Sequence, residues 1–415
     1  MLLRIGEGGR RAFGSLALPN YRRYFGAMLI SSSGTWLQLV AESWLVLRLG
    51  GSGFALGITT ALAFTPLLLF GTYGGVLVDR WERRALVTGT QAAAGLLALA
   101  VGVATVTHVV QIWMVWLAAL VLGFVNVVDS PGRQAFTYEL VGPELVPNAV
   151  SLNNAAITSA RAIGPAIGGA LIATVGIAAC FLINAASYAV VVLALLSMNA
   201  KTLYREATQP RRGRQVRQGI RYVASHPQLR TVLLVLAVAS TFGLNFQVLI
   251  PLFATGTFHG GSLLYGFMMS SLGLGMVIGS LLSAAWSKPT VGRVVALVGL
   301  FTVTLLAVTV APDLQLAILA VAAMGASTSL FLTSSVGCLQ LHSQEGMRGR
   351  VMALYSIAFL GVAPIGGPLV GGVAQLLEAR AGFLVGALAS GLACIVAAAW
   401  LLSQHRAVRC GAPVS

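Results

Sequence analysis

Apolar runs of about 20 residues succeed one another along nearly the whole chain, and a helix of that length spans the ~30 Å hydrocarbon core of a bilayer. Composition closes off the soluble alternative. Of 415 residues, 57% are hydrophobic and 9% charged, whereas a soluble domain carries about 25% charged residues. So few charges could not clothe a surface of this size in water. The expected class is an all-α integral membrane protein.

Charges and Gly/Pro breaks divide the runs into roughly twelve spans. The first six are read at 24–47, 55–78, 86–107, 112–130, 150–175 and 178–198. The second six are read at 231–253, 264–286, 292–311, 314–335, 351–376 and 382–402. The expected organisation is a six-helix bundle over 1–198, a basic linker over 199–230, and a second six-helix bundle with a tail over 231–415.

The net charge of +15 follows from loop placement. With a cytoplasmic amino terminus, all 26 Lys and Arg residues except Arg48, Arg161 and Arg380 fall in cytoplasmic loops and tails. That bias sets orientation, puts both termini in the cytoplasm, and removes the need for a nucleic-acid partner. The first run begins after Arg22 and Arg23 and is too long for a cleaved signal, so it is expected to stay as a membrane helix. Cys180, Cys338, Cys394 and Cys410 show no metal-binding spacing. In the linker, VRQGIRYVASHP places Val216, Ile220 and Val223 on one side; a helix on the anionic leaflet and a solvated linker both fit.

The halves echo one another, with GPAIGG at Gly164–Gly169 and GPLVGG at Gly367–Gly372, each in the fifth span of its half. Two such halves with a site between them are a transporter architecture.

The loop GVLVDRWERR (75–84) carries two acids that orientation does not require. It resembles the loop 2–3 signature of the major facilitator superfamily, Gly-x-Leu-x-Asp-Arg-x-Gly-Arg-Arg. Gly75, Leu77, Asp79, Arg80, Arg83 and Arg84 match, and Glu82 stands in place of the glycine. The resemblance implies a latch that holds the outward-facing state, joined by Asp129 at the end of the fourth span. Charge pairs at a helix end, made in one state and broken in the other, suit that role. The equivalent stretch of the second half, GSLLSAAWSK (279–288), lacks the acid.

SARAIGPAIGG (159–169) is similar to the antiporter signature on the fifth helix of exporter branches, with Arg161, Gly164, Pro165, Gly168 and Gly169 at the matching positions. With DSPGRQAFTYEL and LVPNAVSLNNA, it resembles the exporter branch that includes enterobactin and multidrug efflux proteins. The resemblance implies the major facilitator fold and efflux of small molecules.

Of the eleven acids, Glu42 alone lies inside a span. A charge there costs on the order of 3 kcal/mol, so such residues face a bundle interior or a wet cavity. Ser31, Thr35, Gln38 and Glu42 form one polar stripe of a helix. Three roles for Glu42 stay open: a proton carrier coupled to Arg161, a recognition site for cationic substrate, or a static ion pair with Arg161. The expected substrate cavity adds Asn126, Asn154, Asn245 and Gln247 to Thr35 and Gln38.

The spans hold no cluster of His, Asp or Cys for enzyme chemistry, and no Walker loop for ATP occurs. The function expected is proton-coupled efflux of amphipathic small molecules by alternating access, with an uncoupled facilitator or an importer of a small metabolite as the alternative. No cofactor is expected beyond the proton gradient. The expected partners are a small-molecule substrate, H+ and the lipid bilayer. The expected state is a monomer in the bacterial inner membrane.

Overall fold

The computed structural model describes residues 13–199, 202–204, 215–286 and 289–409, except the side chains of residues 72, 76, 79, 215–217 and 405–409. Among these residues the regular structure is entirely helical. The chief elements are α1 (Pro19–Arg48), α2 (Gly53–Arg80), α3 (Arg83–Val106), α4 (Ile112–Thr174), α5 (Ile177–Leu196), α6 (Gln215–Ala224), α7 (Pro227–Phe242), α8 (Phe246–Leu252), α9 (Ser262–Ala284), α10 (Val291–Val310), α11 (Leu314–His342), α12 (Arg348–Phe359) and α13 (Ala363–Arg409).

Among the described residues nine helices are long and apolar enough to cross a membrane. α1 is not one of them, because its serines, Thr35, Gln38 and Glu42 dilute an otherwise apolar run. α4 has 63 residues, about 95 Å of helix and three times the hydrocarbon thickness. It is interrupted at Gly142, whose φ of 71° and ψ of 173° end one helical stretch and start another. α13 is interrupted in the same way at Leu377 and Glu378. The loop between α2 and α3 is only Trp81 and Glu82, and Glu82 sits in extended backbone at φ −60°, ψ 117°. The glycine of the loop signature is therefore not needed at this turn.

The chain forms two compact units, Met1–Leu49 with Thr65–Arg211, and Gly50–Phe64 with Arg212–Ser415. Residues 50–64, expected in the first bundle, thus pack with the second unit, and the change falls beside Pro66 inside α2. Proline removes a helix hydrogen bond at that point.

The first unit is built around Tyr21, Tyr24, Phe136, Leu140 and Val191, all buried. Tyr24 meets Phe136 edge to face at 5.6 Å, and the buried Tyr21 hydroxyl donates to the Ala149 carbonyl at 3.0 Å. In the second unit Phe253 packs edge-on against Phe383 and Phe258, at 5.3 and 5.0 Å.

Close backbone approach shapes the second unit. Gly275 and Gly279 of α9, four apart, lie directly against the carbonyls of Ala322 and Ala326 on α11, and Gly325 of α11 lies against the Leu272 carbonyl. Small residues at such spacing let helices meet where no hydrophobic gradient drives them together. The GPLVGG copy works the same way: Gly57 and Gly53 lie against the carbonyls of Gly367 and Gly371, and the Phe54 amide donates to Gln375 Oε1 at 3.3 Å. A side chain at the α9–α11 seam must separate the helices. Gly275→Val is expected to lower stability by about 2–3 kcal/mol, read as a drop in the thermal unfolding midpoint of purified protein, while Gly292→Val, in open space, should leave it nearly unchanged.

Candidate functional site

The polar stripe of α1 meets a matching stripe on α5. Gly34 comes so close to α5 that a Cβ there would stand 2.5 Å from Asn184 Oδ1 and 2.7 Å from Ser187 Oγ. Without that side chain the helices close up, and the buried Asn184 amide donates to Gln38 Oε1 at 2.7 Å. Ser187 Oγ donates back to Asn184, 2.9 Å from its Oδ1. The Thr35 hydroxyl donates to the Ser31 carbonyl at 2.9 Å, which leaves its oxygen to accept from Tyr188 Oη at 3.5 Å. Ser31, expected on the stripe, is buried.

Glu42 is half-buried one turn beyond Gln38. It borders a small cavity inside the first unit, about 10 Å³, room for about one water molecule. The walls come from α1, α3, α4 and α5. Apart from Gln38 and Glu42 the lining is apolar, including Leu97, Val101, Val115, Leu122 and Phe181. Among the described residues no hydrogen bond or ion pair reaches the Glu42 carboxylate.

Arg161 does not pair with Glu42. Its guanidinium lies over the Trp36 ring, 4.9 Å from the centroid, a cation–π contact. The rest of its motif packs on the same face of α1. Gly164 faces Trp36, where a Cβ would stand 2.6 Å from Trp36 Cβ, and Gly168 lies against Leu37. Pro165 and Gly169 are buried in the same helix. The antiporter-like segment thus grips the Ser33–Trp36–Leu37 side of α1, while Gln38 and Glu42 look toward α3, α4 and α5.

Asp129 is held from three directions. One oxygen accepts from Thr90 Oγ1 at 2.7 Å and Gln91 Nε2 at 2.9 Å, and the other lies 3.0 Å from Arg133 Nε. Of its supposed latch partners, Arg80 is exposed at the end of α2, Gly75 is half-buried, and the Asp79 side chain lies outside the described residues. Arg83 pairs with Glu139 at 3.1 Å, and Arg84 donates to the Leu196 carbonyl at 3.0 Å. The two arginines tie the start of α3 to α4 and to the end of α5.

The remaining cavity candidates are dispersed. Asn126 and Asn154 are exposed on α4. In the second unit Asn245 is buried and donates to the Thr241 carbonyl at 2.7 Å, which closes the end of α7, and Gln247 is half-buried. Residues the sequence reading missed are Asn184, Ser187, Tyr188, Thr90, Gln91 and Arg133. The four-residue spacing of Asp129 and Arg133 and the three-residue spacing of Asn184 and Ser187 lie within single helices; Asn184, Tyr188, Thr90 and Gln91 also act across helices, where no local signal announces them.

Removing one partner of a buried pair leaves the other uncompensated. Because the Arg133 side chain is one-third exposed, water screens part of that loss. Asp129→Ala is therefore expected to cost about 2 kcal/mol, measured as a lowered unfolding midpoint in detergent.

With this geometry in view, known proteins are informative. The family model described as transmembrane secretion effector matches residues 11–410. The staphyloferrin A transporter of Staphylococcus aureus is 23% identical over 84% of this chain and 87% of its own length. The enterobactin exporter EntS of Citrobacter koseri is 25% identical, with 86% of each chain covered. The multidrug efflux pump Tap of Mycolicibacterium fortuitum is 26% identical over 86% of this chain and 90% of its own. Among solved structures, an inward-facing, occupied bacterial homologue of the human lysosomal transporter Spinster superposes with a TM-score of 0.71 at 13% identity, covering 93% of this chain and 96% of that one. A D-xylose–proton symporter gives 0.70 at 12% identity, covering 92% and 97%. The shared fold is that of major-facilitator transporters, and this multi-pass membrane protein, not an enzyme, belongs to the transmembrane secretion effector family.

Proposed function

We propose that the chain exports amphipathic small molecules by alternating access and that Glu42 carries the coupled proton. The observation that supports this most directly is the setting of Glu42: a carboxylate in a mostly apolar cavity, one turn from an anchored glutamine, without a bonding partner among the described residues. Intramembrane carboxylates are expensive, and one without a partner marks an ion or substrate pathway, a proton relay among them. The relatives, a staphyloferrin A transporter, an enterobactin exporter and a multidrug efflux pump, favour efflux of small molecules.

In this reading proton exchange at Glu42 shifts the polar contacts of α1, and Arg161, stacked on Trp36 of the same helix, passes the change to α4. Gly75, Asp79, Arg80, Arg83, Arg84 and Asp129 form the latch. Thr35, Gln38, Asn126, Asn154, Asn245 and Gln247 contact substrate. The chain makes twelve passes with both termini cytoplasmic, acts as a monomer in a bacterial inner membrane, and requires only the proton gradient.

The test is efflux of a lipophilic dye from proteoliposomes under an imposed pH gradient, comparing wild type with Glu42→Gln. Gradient-driven efflux should fall at least about tenfold in the variant, equivalent to losing ~1.4 kcal/mol of coupling, while downhill dye exchange persists. Equal gradient-driven efflux by both proteins would remove Glu42 from the coupling step. Gradient-independent efflux in wild type would mark an uncoupled facilitator.

A further inference from the structure

On the second unit, α6, the beginning of α7 and α12 enclose a groove of about 380 Å³. Ile220 and Val223 form one wall, Leu233 and Ala237 a second, and Leu354 and Ile357 the third. Arg230 is the single polar residue of the lining and is exposed. α6 is fixed over the groove. A Cβ on Gly219 would stand 3.2 Å from Arg350 Cβ, and the Gln344 backbone amide donates to the Tyr222 hydroxyl at 3.2 Å. Although α6 is amphipathic, Ile220 keeps 55% of its surface exposed beside the groove.

The charges point to the occupant. Arg230 lies in the first turn of α7, and Ala237 lies seven residues further on, about 10 Å deeper along the helix. The groove therefore runs from a cationic mouth at a helix end into an apolar interior. Arg221 and Arg348 are exposed on the flanking helices α6 and α12, with Glu345 as the acid on the connecting turn. A molecule with an anionic head and a hydrocarbon tail matches that order, and basic residues at the membrane surface favour anionic lipid.

We propose that this groove is a binding site for an anionic phospholipid, with an acyl chain along Leu233, Ala237 and Ile357 and the headgroup at Arg230. The bound lipid pins α6 against α12 at the bilayer surface. The assignment is independent of the direction of transport and of Glu42.

Native mass spectrometry of the full-length protein in detergent tests it, with dioleoyl phosphatidylglycerol and dioleoyl phosphatidylcholine as probes. The first phosphatidylglycerol should bind roughly fivefold more tightly than phosphatidylcholine, the preference one arginine near an anionic headgroup confers. Arg230→Gln should erase that preference, Arg230→Lys should keep most of it, and Ala237→Trp should block the first site for both lipids. Equal binding of the two lipids by wild type would overturn the proposal, as would an undiminished preference in Arg230→Gln. A dimer peak that Ala237→Trp removes would assign the groove to a second copy of the chain instead.

Discussion

Inside a bilayer a polar atom can bond only to protein or to trapped water, and this protein is organised around that constraint. The backbone answers it with helices. Hydroxyls answer it locally: Thr59, Thr60, Thr88 and Thr105 each donate to the carbonyl four residues back. Carboxylates cannot, and the first unit holds two that contrast sharply. Asp129 is satisfied by Thr90, Gln91 and Arg133 and ties α3 to α4. Glu42 borders an apolar cavity without such partners among the described residues. One acid is fully partnered in this structure; the other borders a cavity.

Close helix approach makes that arrangement possible. Gly34 brings α5 near enough for Asn184 to hold Gln38, and Gly164 and Gly168 seat α4 on the opposite side of α1. α1 is thus gripped on two faces while Glu42, at the end of its polar stripe, remains beside a cavity. The two Gly-rich repeats serve different neighbours. Gly164 packs on α1, whereas Gly367 and Gly371 pack on the first half of α2. Equivalent motifs need not share a role once the surrounding helices differ.

Helical spans and the stripe of α1 were legible because each depends on spacing within one segment. Asn184 was not, since it meets Gln38 from 146 residues away. Arg161 was found as the basic residue inside a span, but charge alone suggested Glu42 as its neighbour. Trp36, six residues earlier on α1, took that place because α4 docks through Gly164 on the Trp36 face. The passage of residues 50–64 into the second unit was equally hidden. Pro66 marked a weak point in α2, but not the packing on either side of it.

The central claim is that Glu42 exchanges a proton as substrate binds. It is tested most directly by counting protons released when the transported dye is added to purified protein in weakly buffered detergent, using a pH indicator. Linkage requires a release of about one proton per chain at saturation if binding converts a protonated Glu42 to its ionised form. The account predicts that release in wild type and none in Glu42→Gln. Equal release by both proteins, or dye binding to wild type without any release, would contradict it.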